Sequence, residues 1–179
     1  MKRVIYPSLI LLLFGFQVVA QSSTSWTGAN STSWFSASNW TNGVPDATTD
    51  AIIGDASFTG SFQPVISLNG ALCKSVQIGD AVPATLTLNN NRSMTFFGDI
   101  IIKPNGTITH QQFYLYVKGS FINDGTYTTT TTTSITEFNG AGIEQIIGGS
   151  TTTSFRRLIV SAASLVTLEN NVLVTNTGS

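Results

Sequence analysis

The sequence predicts an all-β chain wound as a parallel β-helix, or solenoid, with coils of about 20 residues and a Trp-rich N-terminal cap. Three observations predict it. Helical periodicity is nearly absent, while short alternating runs bounded by Gly, Asn, Asp and Pro recur along the chain. Glycines fall at a regular interval: Gly79, Gly98, Gly119 and Gly140 lie 19, 21 and 21 residues apart. All three tryptophans, Trp26, Trp34 and Trp40, stand within 15 positions near the start. The competing arrangement is a β-sandwich, whose turns about ten residues apart would give two turns per apparent repeat.

Residues 1–20 read as a secretory signal. Lys2 and Arg3 give a basic start, Ile5 to Val19 is mostly apolar, and Val18-Val19-Ala20 ends in a small residue suited to cleavage before Gln21. The apolar run is shorter than the ~20 residues a membrane span needs. The expected location is therefore secreted or cell-surface, with no membrane span after signal removal.

Residues 21–69 are assigned to the cap. An uncapped stack of coils exposes an apolar column and unpaired strand edges, and buried indoles would cover both. Asn39 and Gly43 around Trp40 suit a tight turn that aims its ring inward. The other reading of Trp26, Trp34 and Trp40 is an exposed platform that contacts glycan rings.

Residues 70–179 are assigned to the solenoid. Strand-like runs include SVQIG (75–79), TLTL (85–88), MTFFG (94–98), TITH (107–110), YLYVKG (114–119), SITEF (134–138), QIIG (145–148) and RLIV (157–160). FFGDIIIKPNGTIT (96–109) aligns with VKGSFINDGTYT (117–128) after a two-residue contraction. The alignment pairs Ile100 with Phe121 and Ile108 with Tyr127, and predicts that each pair stacks on adjacent parallel coils. Gly79, Gly98, Gly106, Gly119, Gly125 and Gly140 are the expected coil corners. A further echo relates LTLNNNRSMTFFG (86–98) to VTLENNVLVTNTG (166–178). The repeat breaks off at Gly178-Ser179, so a C-terminal continuation or a partner is expected to cover the last edge.

Composition narrows the function. Charged residues make up 9% of the chain, leaving Thr, Ser, Asn and Gln to cover the surface. Without Lys2 and Arg3 the basic count drops from 8 to 6 against 9 acids, a net charge of about −3. No basic cluster is present, which argues against a nucleic-acid partner. Cys73 is the one cysteine, so there is no internal disulfide framework, and its alternating context reads as a small buried hydrophobe.

The stretch SWTGANSTSWFSASNWTNGVPDATTDAIIG (25–54) resembles the opening of repeat-rich cell-surface proteins of the Bacteroidetes. The resemblance rests on Trp26-Thr27-Gly28, on Asn39-Trp40-Thr41-Asn42-Gly43-Val44-Pro45, and on the acid-flanked strand Asp50-Ala51-Ile52-Ile53. It implies a β-helical, adhesin-like exoprotein. Such proteins often carry a C-terminal sorting domain, and none is expected within these 179 residues.

Chemistry-bearing residues are sparse. His110 is the only histidine and no Gly-x-Ser-x-Gly elbow exists, so a catalytic triad is not expected. One His and one Cys cannot make a zinc site. Asp99, Asp124, Glu137, Glu144 and Glu169 are scattered and do not indicate the paired carboxylates of glycoside hydrolysis. Asp46, Asp50 and Asp55 offer calcium ligands but lack EF-hand spacing; turn formation and strand-end solvation are the expected roles, and no cofactor is expected. Thr128, Thr130 and Thr132 would form an outward row beside Thr107 and Thr109, and such a row suits ice or glycans if it repeats on successive coils. The expected function is a non-catalytic secreted structural or adhesive module with extracellular glycans or surface proteins as partners. A carbohydrate-binding module using the Trp cluster or the Thr face comes second, and a polysaccharide-active enzyme third.

Overall fold

The structure, a computed structural model, describes residues 22–89, 93–111 and 113–175. The expected signal segment and Gly178 lie outside these residues. The described chain is a three-faced parallel β-solenoid. A lead strand, β1 (Ser23–Ser25), precedes the coils. The first coil is β2 (Asp50–Ile53), β3 (Val65–Ile66) and β4 (Ala71–Cys73); the second is β5 (Val76–Ile78), β6 (Ala84–Leu88) and β7 (Met94–Phe96). The third is β8 (Ile100–Ile102), β9 (Gly106–His110) and β10 (Phe113–Val117); the fourth is β11 (Phe121–Asn123), β12 (Thr126–Thr129) and β13 (Ser134–Phe138). The fifth is β14 (Glu144–Gly148), β15 (Thr153–Phe155) and β16 (Arg157–Val160), followed by β17 (Leu165–Leu168) and β18 (Val172–Val174).

Every third strand returns to the same face. The first face orders β1-β2-β5-β8-β11-β14-β17, the second β3-β6-β9-β12, and the third β4-β7-β10-β13-β16, with β15-β18 as a separate pair. All strand pairings within these sheets are parallel, which excludes the hairpin-built sandwich. Ile100 pairs with Phe121 and Ile108 with Tyr127, the register the repeat alignment predicts.

Period-2 alternation builds the core. Most strands read buried–half-buried–buried, so one side of each faces the axis. Parallel registry stacks these inward residues in columns: Ala51, Val76, Ile100, Phe121 and Ile147 on the first face, Cys73, Phe96, Val117 and Phe138 on the third. Each large apolar side chain buried this way contributes about 1.5–3 kcal/mol. Phe121 packs edge-on to Tyr127 and Phe155, with centroids at 5.1 and 5.5 Å.

Four expectations need correction. The solenoid starts at Asp50, inside the segment 21–69 assigned to the cap, because β2 and β3 are already in register with β5 and β6. The period is not uniform: first-face partners lie 25, 24, 21, 26 and 21 residues apart from Ala51 to Leu168, because the corners absorb insertions. The 80-residue echo is not a coil equivalence, since Leu86 is on the second face and Val166 on the first. Gly79 does not belong to the series Gly98, Gly119, Gly140. Those three follow third-face strands and precede the first face, whereas Gly79, Gly106 and Gly125 lie at the corner between the first and second faces.

Close backbone approach explains both glycine columns. A Cβ on Gly119 would sit 2.3 Å from the carbonyl carbon of Gly98, and one on Gly140 2.2 Å from the carbonyl oxygen of Lys118. Gly79 also has φ +81°, and its Cβ would fall 2.0 Å from the amide nitrogen of Gly106.

Candidate functional site

The cap is built from the tryptophans outward. β1 adds one strand to the first face, and the chain then folds back so that Trp26 and Trp40 form an antiparallel bridge. Trp26 and Trp34 are fully buried and Trp40 is 5% exposed. Trp40 lies between the other two, edge-on to both, with centroids at 5.0 and 4.8 Å. The Trp26 indole N–H donates to the Phe62 carbonyl at 2.7 Å and that of Trp40 to the Trp34 carbonyl at 2.8 Å. The Trp34 indole N–H is buried without an acceptor. A sugar ring needs an open aromatic face, and these have none, so the glycan-platform reading of Trp26, Trp34 and Trp40 is corrected.

Asn39 holds this loop together, a role the sequence did not reveal. Its buried Oδ1 accepts the N–H groups of Asn30 and Ser31, and its Nδ2 donates to Ser31 Oγ and the Ser33 carbonyl. All four bonding positions of the amide are used, so its burial carries no desolvation debt.

The titratable groups are dispersed. Among the described residues no three of His, Cys, Asp and Glu gather as a metal site. Asp46 Oδ1 accepts from the Thr48 amide and from the hydroxyls of Thr48 and Thr49; these bonds, the Thr48 amide foremost, hold its carboxyl below the usual range. Asp50 accepts the Ser75 amide and lies 3.9 Å from Lys74 Nζ, while Asp55 accepts from Ser25 and Ser57. Asp46 and Asp55 thus serve separate turns, and Asp50 joins two coils. His110 is buried, with Nδ1 2.7 Å from Tyr127 Oη, which lies 2.8 Å from Thr136 Oγ1. Burial pushes the Tyr127 phenol well up, so this chain of polar groups is a sealed core network. Asp99 and Asp124 stand at different corners, Glu137 on the third face and Glu144 on the first.

One corner carries a ladder. On β2, β5, β8 and β11 the residue just before the inward column position (Ala51, Val76, Ile100, Phe121) alternates Asp50, Ser75, Asp99, Ser120. Each side-chain oxygen accepts the backbone N–H of the next coil: Asp50 from Ser75 (3.1 Å), Ser75 from Asp99 (3.0 Å), Asp99 from Ser120 (2.7 Å), and Ser120 from Ile146 (3.0 Å). Asp and Ser suit the place because their short oxygens reach nearby amides. The acids here are spent on joining coils.

The second face is different. Thr85, Thr107 and Thr126 are in register on successive strands, and so are Thr87, Thr109 and Thr128. Leu86, Ile108 and Tyr127 between them point inward, leaving six threonines half-buried or exposed on the outside. No residue of β3, β6, β9 or β12 is Asp, Glu, Lys or Arg. Thr130 and Thr132 are not part of the array, because β12 ends at Thr129 and the chain bends toward β13; the expected row along one strand is replaced by columns across three coils. The missed residues are Thr85, Thr87 and Thr126. Their signal was a Thr–apolar–Thr triplet recurring at 85–87, 107–109 and 126–128.

A family model described as "Domain of unknown function (DUF8693)" matches residues 25–139, which takes in the cap and the coils as far as β13. No curated protein and no solved structure matches the chain.

Proposed function

The chain belongs to the DUF8693 family, and because that family's function is unknown we propose a role from the geometry: a non-catalytic exoprotein module that holds binding faces rigidly at the cell surface. The observation that carries this reading is how the polar side chains are used. The corner acids and serines tie each coil to the next, and His110 and Tyr127 are sealed in the core. The outer surface of the second face is a regular sheet of uncharged hydroxyls. Such a body presents surface and does not assemble a reacting centre. The basic and apolar start of residues 1–20 and the resemblance to Bacteroidetes surface proteins support export.

The test is localisation and attachment in the native host. Fractionation and antibody labelling of intact cells should find the protein outside, and a deletion strain should attach less well to surfaces. Retention in the cytoplasm, or turnover of a polysaccharide by the purified chain, would defeat the reading. Carbohydrate binding, the alternative the sequence suggested, is tested by a glycan array.

A further inference from the structure

We propose that the six-threonine array of the second face is an ice-binding surface: its ligand is the ordered water lattice of ice. The proposal deepens the display reading by naming what one face holds, but the purified chain tests it without regard to export.

The argument starts from spacing. Neighbouring parallel strands stand ~4.8 Å apart, and residues i and i+2 on one strand ~6.6 Å apart. Thr85/Thr87, Thr107/Thr109 and Thr126/Thr128 therefore mark a two-dimensional grid with these repeats, fixed by backbone registry. The oxygen–oxygen repeats on the growth faces of hexagonal ice lie near both. Each grid point carries one hydroxyl and one methyl on a β-branched carbon, whose torsion is already restricted, so little side-chain entropy is lost on binding. The ladder at the corner between the third and first faces and the glycine columns hold the coils, and with them the grid, in register.

Chemistry then separates ice from a polysaccharide. Sugar sites rely on exposed aromatic faces and on charged or amide groups. Among the described residues of this face the one aromatic, Tyr127, is 7% exposed and points inward, as does His110. A charged side chain here would have to be desolvated against an ion-excluding lattice, and the strands carry no Asp, Glu, Lys or Arg. Val65, paired with Thr87, extends the second column with an apolar group of similar shape.

The experiment is ice-affinity partition of the purified full chain, with ice grown slowly from dilute solution and serum albumin as the excluded control. The chain should concentrate in the ice. The double variant T107K/T109K, which places two long cations in the middle row, should lower incorporation about tenfold or more, about 1.4 kcal/mol in partition free energy. Thr95→Lys, on the third face, should leave incorporation unchanged. Thermal melts check that each variant folds; if T107K/T109K does not, Thr128→Tyr blocks the outer row instead. Exclusion of the wild-type chain from ice overturns the proposal. So does equal incorporation of the folded second-face variants, or exclusion from ice combined with pelleting on insoluble chitin or cellulose, which would assign the face to a polysaccharide.

Discussion

Replacing each tryptophan by phenylalanine gives unequal costs, and the order follows from the indole N–H groups. All three substitutions shrink a buried ring by a similar amount, a loss of about 1–2 kcal/mol on the large-to-small scale. In Trp26→Phe the bond to the Phe62 carbonyl disappears as well, and in Trp40→Phe the bond to the Trp34 carbonyl. Leaving the buried Trp34 carbonyl without its donor adds about 1–3 kcal/mol, and the part-buried Phe62 carbonyl, which water can reach, adds less. Trp34→Phe removes a buried N–H that has no acceptor, so it abolishes no bond and relieves a desolvated donor. The expected order is therefore Trp34→Phe least harmful, Trp26→Phe worse, and Trp40→Phe worst, since Trp40 also makes both edge-on ring contacts. Urea titration followed by far-UV circular dichroism measures it, because fluorescence changes with the substitutions themselves. A Trp34→Phe variant as unstable as Trp26→Phe would refute the assignment of cap stability to these bonds.

Two further outcomes are expected. The carboxyl of Asp124 is held below its usual range by the amide and hydroxyl of Ser150, and that of Asp46 by the Thr48 amide with help from the hydroxyls of Thr48 and Thr49. A depressed folded pKa means stability that is present above the unfolded value of about 4 and lost as pH falls through the folded value. Melting temperature should drop on acidification below about pH 4, and the D46N/D124N double variant should show a shallower drop; an unchanged slope would remove these two groups from the acid response. Cys73 is fully buried, and burial followed by nearby Asp50 pushes its thiol well up. An aromatic disulfide reagent at mildly alkaline pH should label it only at the rate of unfolding, and rapid labelling of the folded chain would contradict the packing around it.

The solenoid was legible because alternation and corner glycines are local signals. The pairing of Ile100 with Phe121 and of Ile108 with Tyr127 followed from one well-spaced repeat. What stayed hidden depends on which face a residue occupies. Gly79 looked equivalent to Gly98 because the spacing matched, yet the two sit at different corners of the prism. Asp50, Ser75, Asp99 and Ser120 share a role but are 25, 24 and 21 residues apart, so no fixed period aligns them. Thr85 and Thr87 read as part of an apolar strand, and only registry with Thr107 and Thr109 reveals a shared surface. Asn39 escaped because a turn residue and a four-bond hub look the same in one dimension.

The two ends of the stack are unlike, and this gives unfolding a direction. At the first end three indoles and Asn39 close over the column. At the other, Leu165, Leu168 and Leu173 are 62%, 57% and 52% exposed. Coils in such a stack depend on their nearest neighbours only, as in a one-dimensional chain of coupled units. Opening the last unit breaks one interface, whereas opening an inner one breaks two. Taken as these 179 residues alone, the body frays as a front that moves from β18 toward β1, with the ladder of Asp and Ser oxygens parting one rung at a time. Amide exchange would record that front as protection rising coil by coil toward the tryptophans, and a protease would leave fragments stepped by one coil, 21 to 26 residues.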